Sequence, residues 1–169
     1  IGLSKMLADK YGKINVFGVF LFISTLFILV FYVLTPDSIN LIFGAQIFHG
    51  FFYGITIPLL WAMIADVADY SEWKNNRRAT AIIFSAMMVG LKLGLSIGGA
   101  LVASILGTYG YVPNSAGEQT ESAILGTKML VSVFPSIPFL LAAGLLFFYI
   151  IDKNLEDKIE QDLLNRRND

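Results

Sequence analysis

The chain has 169 residues, of which 56% are hydrophobic and 15% are charged, whereas soluble domains carry about 25% charged residues. Its mean hydropathy of +0.67 is typical of a chain that spans a membrane. The formal net charge of -1 provides no basic excess to neutralise a phosphate backbone, which excludes nucleic acid as a main partner. The absence of cysteine excludes disulfides, thiolate metal sites and cysteine nucleophiles.

Four long stretches are apolar enough to cross a lipid bilayer. Each reaches the roughly 20 residues that a helix needs to cross about 30 Å of hydrocarbon. Backbone polar groups in lipid must be bonded within the segment, and the stretches lack the alternation of barrel strands, so we predict helices. The sequence predicts an all-α polytopic membrane protein with spans at about 14–35, 39–69, 79–107 and 125–151.

The two ends of the chain suggest how it is organised. The sequence begins at Ile1 without an initiator methionine or a signal segment, so we expect a piece of a longer chain. Residues 1–151 would then form a partial C-terminal transmembrane bundle. In the tail, residues 152–169, apolar residues recur every four positions from Leu155 to Leu163 among charges, which predicts an amphipathic helix. This helix could lie on the inner membrane face or extend into solvent.

Lysine and arginine residues alternate between the segments that flank the spans. Three lie in residues 1–13, none in 37–40, three in 66–78, none in 107–123 and four in 152–169. Basic residues favour the cytoplasmic side of a membrane. The sequence therefore predicts a multi-pass protein of the inner (plasma) membrane with both ends of the chain in the cytoplasm. The turns at Pro36 and Asn114 would face outward.

A single lysine, Lys92, interrupts the third span near its middle. An ionised lysine at that depth costs about 2.5 to 3.5 kcal/mol, so it must face protein or water rather than lipid. No carboxylate occurs at matching depth in the four spans, and we expect Lys92 to serve a substrate pathway. Ser96 lies one turn further on the same face and adds to a partly polar stripe. The alternative is a structural ion pair with a segment outside this sequence.

The second span carries a stripe of polar and aromatic side chains at steps of three and four residues. Aromatic faces and hydrogen-bonding groups together suit a flat, hydroxyl-rich solute such as a sugar. The alternative is ordinary hydrogen bonding between helices, since small polar groups often join membrane helices. The candidate substrate-binding residues of this stripe are Gln46, His49, Tyr53 and Trp61.

A cluster of charges follows the second span. Asp66 and Asp69 lie near the C-terminal end of that helix, where the helix dipole disfavours negative charge, so we expect cationic partners. Arg77 and Arg78 are candidates, as are basic residues of an absent domain. Together with Glu72 these residues could form a reversible ion-pair latch that closes the inner side of a transporter. The alternative is a solvated loop in which exposed charge pairs contribute little.

Several stretches around this cluster form a recognisable set: residues 65–73, Arg78, Phe84-Ser85, Lys92 with Gly94, and residues 110–114. The set resembles the glycoside-pentoside-hexuronide:cation symporter family, the melibiose-carrier group of the major facilitator superfamily. Residues 7–13 also resemble a loop motif of that superfamily, although Lys5 occupies the place of its usual first glycine.

The resemblance implies that the four spans are the last four of a twelve-helix major facilitator fold. It implies uptake of a sugar or glycoside, coupled to sodium or a proton, by alternating access of two halves. The partners would be the sugar, the missing N-terminal half and the bilayer. The carboxylates that bind the coupling cation lie in that N-terminal half of the family, so we expect no cofactor and no metal site in this chain.

The resemblance also implies roles for single residues. Lys92 matches the family's lysine of the eleventh helix, close to the sugar and cation sites. A tryptophan that contacts sugar in the melibiose carrier corresponds to Ile57 here, and Trp61, one turn closer to the cytoplasm, could replace it. The charged cytoplasmic network that links the two halves matches Asp66, Asp69, Glu72 and Arg78.

Two other interpretations compete with a carrier. A small four-helix channel or structural membrane protein, complete in itself, would leave Lys92 without an obvious counter-charge. An intramembrane enzyme is suggested by Asp66-x-x-Asp69, which superficially resembles the magnesium-binding motif of membrane prenyltransferases. That chemistry needs a second acidic cluster at the same membrane face, and the sequence offers only Asp9 and the dispersed acids of the tail. We therefore expect no enzymatic activity.

Overall fold

The computed structural model describes residues 2–35, 37–113 and 119–168. The described part is helical. Its helices, in chain order, are α1 (Gly2–Tyr11), α2 (Lys13–Val33), α3 (Ile39–Asn75), α4 (Thr80–Thr108), α5 (Glu121–Val131), α6 (Val133–Leu145) and α7 (Lys153–Asn168), with a 3-10 turn at Leu146–Phe148. The predicted turn residues Pro36 and Asn114 lie outside the described residues.

Within the described residues, four helical segments are long and apolar enough to cross a membrane. They are α2, α3, α4 and the segment Glu121–Phe148, which comprises α5, α6 and the 3-10 turn. The prediction of an all-α, polytopic fold with four transmembrane helices is confirmed. Their bounds agree with the sequence-based ones to within two residues for α2 and α4, whereas α3 and the fourth span differ.

α3 extends to Asn75, six residues beyond the predicted end of the second span. No glycine or proline occurs between Leu59 and Asn75, so nothing in this stretch interrupts the backbone hydrogen bonding. The helix ends at Asn76, whose φ of 51° is left-handed, a conformation that asparagine tolerates better than most residues. Glu72, which lies beyond the predicted end of the span, is therefore on the same helix as Asp66 and Asp69.

The fourth span is two helices rather than one. α5 and α6 meet at Ser132, whose φ of -125° and ψ of -75° are not helical. Pro135 has no backbone N–H and is favoured in the first turn of a helix, where the N–H groups have no partner within the helix, which agrees with a new helix beginning at Val133. The buried Ser132 hydroxyl donates to the Lys128 carbonyl at 2.6 Å, so the break is stabilised by a local hydrogen bond.

The core lies where α2 packs between α3 and α6. Leu21 of α2 and Leu59 of α3 are each only 3% exposed. Towards the C-terminal end of α2, the ring of Phe27 stacks on Phe48 and Phe52 at centroid distances of 5.4 and 5.7 Å. Apolar burial of this kind fixes α2 and α3 as one antiparallel pair.

α4 is packed very differently. None of its 29 residues is buried, and its main contacts are with α3 and α5. Where it meets α5, the ring of Tyr109 lies so close to Gly126 that a Cβ on the glycine would be 2.5 Å from Tyr109 Cγ. α4 is thus held mainly through its neighbours in sequence and leaves most of its surface open.

The tail helix α7 packs against the end of α3. Ile151, Ile159 and Leu163 are buried, and they pack with Val67, Tyr70 and Trp73 of α3. The tail is thus the amphipathic helix that the sequence predicted, and its apolar face packs against α3. This arrangement differs from both sequence-based alternatives, because the extension of α3 beyond the apolar stretch offers α7 an aromatic surface.

Candidate functional site

One end of the bundle gathers charges from four segments of the chain. α1 leads into α2 at Gly12, a buried glycine whose φ of +83° turns the chain, and this corner lies beside the end of α3. The tail helix α7 completes the arrangement. We call the residues that pair here the ion-pair cluster: Lys13, Asp66, Asp69, Glu72, Arg78, Glu156 and Arg167.

The inner part of the ion-pair cluster is centred on Lys13. Its Nζ atom lies 2.6 Å from Asp66 Oδ1 and 2.9 Å from Glu156 Oε1. The side chains of Lys13 and Asp66 are 21% and 14% exposed, so both charges have lost much of their water. The expectation that Arg77 or Arg78 compensates Asp66 is corrected here, because Lys13 at the α1–α2 corner is the nearer cation.

The outer part of the ion-pair cluster is open to solvent. Arg78 Nη2 lies 3.1 Å from Asp69 Oδ1, and Arg78 Nε lies 3.6 Å from Glu72 Oε2. The side chains of Arg78 and Asp69 are 50% and 38% exposed, a setting in which an ion pair contributes about 0 to 1 kcal/mol. Arg77 is exposed, and its backbone carbonyl accepts a hydrogen bond from Ser71.

The tail helix is tied to the end of α3 by polar contacts as well as apolar ones. Trp73 Nε1 donates to Asp162 Oδ2 at 2.8 Å. Arg166 donates to the Trp73 carbonyl at 3.1 Å, and Arg167 lies 3.3 Å from Glu72. Glu72 therefore pairs both with Arg78 and with Arg167 of α7. A displacement of α7 would change how fully the Glu72 carboxylate is available to Arg78.

Tyr149 joins the ion-pair cluster to the apolar core. Its hydroxyl donates to the Met63 carbonyl at 3.1 Å, and its ring packs against both the α2–α3 core and the α7 contact. Burial, together with the nearby carboxylates of Asp66 and Glu156, raises the pKa of the Tyr149 hydroxyl. Tyr149 is therefore a neutral donor throughout the physiological range.

The ion-pair cluster borders a cavity of about 340 Å³. Lys13, Asp66, Asp69 and Arg78 line the cavity, and α7 contributes charged residues such as Glu156 together with apolar ones. A cavity lined largely by charges can admit water or a charged segment, and either would compete with the pairs already formed.

The polar stripe of α3 divides between two faces. His49 Nδ1 lies 2.8 Å from Ser24 Oγ on α2, and Ser24 is fully buried. The ring of Tyr53 stacks on His49 and on Phe139 of α6, each at a centroid distance of 5.7 Å. These two candidate substrate-binding residues therefore contact other helices of this chain.

Of the other four candidate substrate-binding residues, three are exposed and Trp61 is half-buried. Gln46, Lys92 and Ser96 are exposed. The indole of Trp61 stacks on Phe84 of α4 at 6.3 Å, and Lys92 follows Phe84 by eight residues, or about 12 Å of helix. None of the six candidates lines the cavity at the ion-pair cluster, so the described residues do not bring them together into one enclosed pocket.

Three members of the ion-pair cluster were missed from the sequence: Lys13, Glu156 and Arg167. Lys13 is the residue immediately before an apolar span, so it was used only to decide which side of the membrane the chain begins on. Glu156 and Arg167 belong to a charge-rich tail that contains many equivalent residues, and no local pattern distinguishes those that pair. The signal that could have found them is the amphipathic spacing of the tail, which requires an apolar surface somewhere in the molecule.

The chain is similar to known proteins over most of its length. Residues 1–153 match the family model described as MFS/sugar transport protein. An uncharacterized 29.9 kDa protein of Pseudescherichia vulneris is 35% identical over 158 residues, which cover 93% of this chain and 57% of that protein. No solved structure matches the chain.

Two further relatives have transport names. An inner membrane symporter of Escherichia coli is 31% identical over 163 residues, which cover 94% of this chain and 35% of the symporter. An isoprimeverose transporter of Lactiplantibacillus pentosus is 40% identical over 110 residues, which cover 65% of this chain and 22% of the transporter. The chain thus spans between about a fifth and three fifths of the length of the curated relatives described here.

Proposed function

Since this chain belongs to the MFS/sugar transport protein family, we propose that it forms the last four helices of a twelve-helix carrier for a sugar or glycoside. The family is one of transporters, not of enzymes. The carrier would couple uptake to sodium or a proton by alternating access, and the coupling ion would bind in an N-terminal half outside this sequence. The isoprimeverose transporter among the relatives favours a glycoside as the substrate.

The observation that carries the proposal is the setting of Lys92. It lies within a helix that is long and apolar enough to span a membrane and has no buried residue. A lysine cannot be left facing lipid at this depth without a large penalty. An open face that carries a charge therefore calls for a further set of helices with water or substrate between them, as in a carrier with two halves.

The lysine test is made by uptake. In the complete carrier, Lys92→Ala should lower glycoside accumulation at least tenfold while the protein still inserts into the membrane. The matched control is Leu95→Ala, because Leu95 is an exposed residue on the same helix and carries no charge. Unchanged accumulation in Lys92→Ala would remove the functional role of this residue, and an equal loss in both variants would point to damage of α4.

We assign two roles to the ion-pair cluster. Lys13, Asp66 and Glu156 form a fixed brace, because the side chains of Lys13 and Asp66 are largely shielded from solvent. Asp69, Glu72 and Arg78 form the latch, because the pair of Arg78 and Asp69 is exposed to solvent and such pairs can be exchanged at little cost. Arg77, the further gating candidate of the sequence, is exposed beside them. In this proposal the latch closes the cytoplasmic side of the substrate pathway between the two halves of the carrier. It opens when the substrate is released into the cytoplasm.

The latch predicts an effect on rate rather than on affinity. Asp69→Asn should slow transport several-fold and leave equilibrium sugar binding within about twofold, since the latch biases a conformational step. Asp157→Asn is the control, because Asp157 is an exposed carboxylate of the tail outside the ion-pair cluster. A loss of binding in proportion to the loss of transport would assign Asp69 to the substrate site instead.

The coupling ion is identified by the gradient that drives uptake. Proteoliposomes that contain the complete carrier are loaded with a sodium gradient or with a pH gradient, each at zero membrane potential. Accumulation with only one gradient names the ion. Equilibration without accumulation under both gradients would show a uniporter, which contradicts the proposed coupling but not the proposed substrate class.

A further inference from the structure

The single histidine of the chain is hydrogen-bonded to a serine inside the bundle. His49 lies on α3, and its Nδ1 atom is 2.8 Å from Ser24 Oγ on α2. Ser24 is 0% exposed, so its hydroxyl is closed to water and to lipid. The Ser24 carbonyl oxygen lies 3.2 Å from the same ring nitrogen. One edge of the imidazole is therefore held by α2.

The other ring nitrogen of His49 is open. Both hydrogen bonds between the imidazole and the described residues use Nδ1. His49 is half-buried, and in such residues of the described chain every buried side-chain nitrogen or oxygen atom has a hydrogen-bond partner. The unbonded Nε2 atom must therefore lie at the surface of the bundle.

Two neighbours of His49 present open polar groups on the same face of α3. Gln46 precedes His49 by three residues and is exposed. Tyr53 follows His49 by four residues, and the two rings stack at a centroid distance of 5.7 Å. Within the described residues the Tyr53 hydroxyl is unbonded, and since Tyr53 is half-buried it reaches the surface for the same reason. Residues three and four apart share a helix face, so these groups form one open polar edge.

This polar edge lies near the middle of the membrane. His49 follows Ile39, the first residue of α3, by ten positions, or about 15 Å of helix axis. The hydrocarbon core of a bilayer is about 30 Å thick. A ring nitrogen that faced lipid at this depth would stay unbonded at a large energetic cost. The open Nε2 therefore calls for a hydrogen-bonding partner from outside the described residues.

The contact with Ser24 also decides which ring nitrogen carries the hydrogen. In a neutral imidazole one nitrogen donates and the other accepts. The enclosed Ser24 hydroxyl has His49 Nδ1 as its partner, so it satisfies its own hydrogen by donating to Nδ1. The carbonyl at 3.2 Å favours the reverse tautomer, but that tautomer would leave the buried hydroxyl hydrogen without an acceptor among the described residues. Nδ1 is then the acceptor, and Nε2 carries the hydrogen.

We propose that Ser24 is a positioning residue that holds His49 in the Nε2–H tautomer, so that Nε2 donates a hydrogen bond to an oxygen atom of the transported glycoside. This role rests on the proposed transport function. A sugar suits the open edge because each of its hydroxyls can accept from Nε2–H and donate to the neighbouring tyrosine hydroxyl or glutamine carbonyl. A site built in this way discriminates against solutes that lack the hydroxyl.

The first test measures the tautomer without any substrate. The complete carrier is prepared with isotope-labelled histidine, and the ring-nitrogen NMR signals of His49 are those that disappear in His49→Gln. The unaltered carrier should show a protonated Nε2 and an unprotonated Nδ1. In Ser24→Ala the Nδ1–H form should appear, since only the backbone carbonyl is left beside Nδ1. An Nδ1–H form or a doubly protonated ring in the unaltered carrier would overturn the proposal.

The matched control is Thr25→Val. It removes a second fully buried hydroxyl from the next residue of α2, but that hydroxyl donates to the Leu21 carbonyl of its own helix at 2.8 Å. The His49 tautomer should be unchanged in this variant. A change as large as that in Ser24→Ala would show that the tautomer responds to general loosening of α2 and not to the serine hydroxyl.

The second test measures equilibrium sugar binding. The methyl glycosides of xylose, galactose and glucuronic acid are titrated in turn into the complete carrier, and the one that binds most tightly is the probe. Ser24→Ala should weaken its binding about fivefold, whereas Thr25→Val should stay within about twofold. Equal losses in the two variants would reduce the serine to a packing residue.

Two substitutions of His49 test the donor itself. The amide nitrogen of glutamine reaches the position of Nε2, whereas that of asparagine reaches only the position of Nδ1. His49→Gln should therefore keep the affinity for the probe within about threefold, and His49→Asn should lower it about tenfold. Equal affinities in the two variants would refute a donor at Nε2. A His49 Nε2 signal that does not move when the probe binds would assign its partner to another helix.

A failure of the transport function gives a different result. If none of the three glycosides binds to the unaltered carrier, the proposed function and the sugar contact fail together. If a glycoside binds equally well to the unaltered carrier, Ser24→Ala and His49→Asn, the carrier remains and the role assigned to Ser24 and His49 is wrong.

Discussion

Two lysines of this chain, Lys13 and Lys92, occupy opposite kinds of surroundings. Lys13 lies between two carboxylates at 2.6 and 2.9 Å, on a helix that packs against α1, α3, α5 and α6. Lys92 is exposed on α4, a helix without a buried residue. The α2–α3 pair thus contains the partners that its charges need, whereas α4 requires partners beyond the described residues.

The difference has a simple physical origin. α2 and α3 bury apolar faces against each other and form a core, so that the charges at their common end are held at fixed separations. α4 contacts its neighbours near its ends and presents its remaining surface outward. A bilayer can cover the apolar part of such a surface, but the lysine in its middle needs water or protein.

The largest expected effect is on the brace. Lys13→Ala leaves Asp66 and Glu156 without their shared cation in a partly buried position, which should lower the free energy of unfolding by about 3 kcal/mol. The measurement is thermal unfolding of the detergent-solubilised protein. Lys5→Ala, at an exposed position of α1, should change stability by less than about 0.5 kcal/mol. Similar shifts in the two variants would show that the brace does not stabilise the fold.

The next effect concerns the contact that anchors α4. Gly126→Ala places a methyl group 2.5 Å from Tyr109 Cγ, so one of the helices must shift, at a cost of about 2 kcal/mol. Gly107→Ala has no neighbour within 4 Å and should be neutral or slightly stabilising, since alanine favours helix. The two unfolding midpoints give the comparison, and equal midpoints would mean that α4 is held elsewhere.

A smaller effect is expected where the tail meets α3. Trp73→Phe keeps an aromatic ring against Ile159 and Leu163 but removes the donor to Asp162, at a cost of about 1 kcal/mol. Hydrogen exchange of α7 amides should become faster while that of α2 stays unchanged. Trp61→Phe serves as control, since Trp61 stacks on Phe84 far from the tail. Unchanged exchange in α7 would show that packing alone holds the tail.

The smallest effect on stability is expected at the latch. Arg78→Gln removes one cation whose own side chain is half exposed to water, so the free energy of unfolding should change by less than about 0.5 kcal/mol. The same detergent unfolding assay provides the value. A loss as large as that of Lys13→Ala would place Arg78 in the brace and would erase the distinction between the two parts of the ion-pair cluster.

The sequence was sufficient for the features that depend on local composition. Long uncharged stretches predicted the four spans, because length and hydropathy decide whether a helix can cross a membrane. The end of α3 was placed six residues too early, at residue 69, because the charges that follow were taken as a loop, although charged residues such as Glu72 and Lys74 continue a helix as long as nothing breaks its backbone.

Partner choice at the candidate site could not be predicted in the same way. Asp66 has several basic residues within reach of its helix end, and the choice of Lys13 depends on the corner at Gly12 and on the packing of α2 beside α3. The stacking of Tyr53 between His49 and Phe139 likewise depends on where α6 restarts after Ser132. Both contacts depend on how the helices pack in three dimensions, and the spacing of side chains along one helix cannot predict that packing.

The length of α3 has a mechanical consequence. Its 37 residues extend about 55 Å, some 25 Å more than the hydrocarbon of a bilayer, and Pro58 weakens the helix near its middle. From Pro58 to Asn75 the helix forms an arm of about 25 Å. A bend of about 10° at the proline would move the tip of that arm by about 4 Å, a displacement comparable to an ion-pair distance. A small bend of α3 at Pro58, inside the membrane, would thus be enough to form or break ion pairs at the membrane surface.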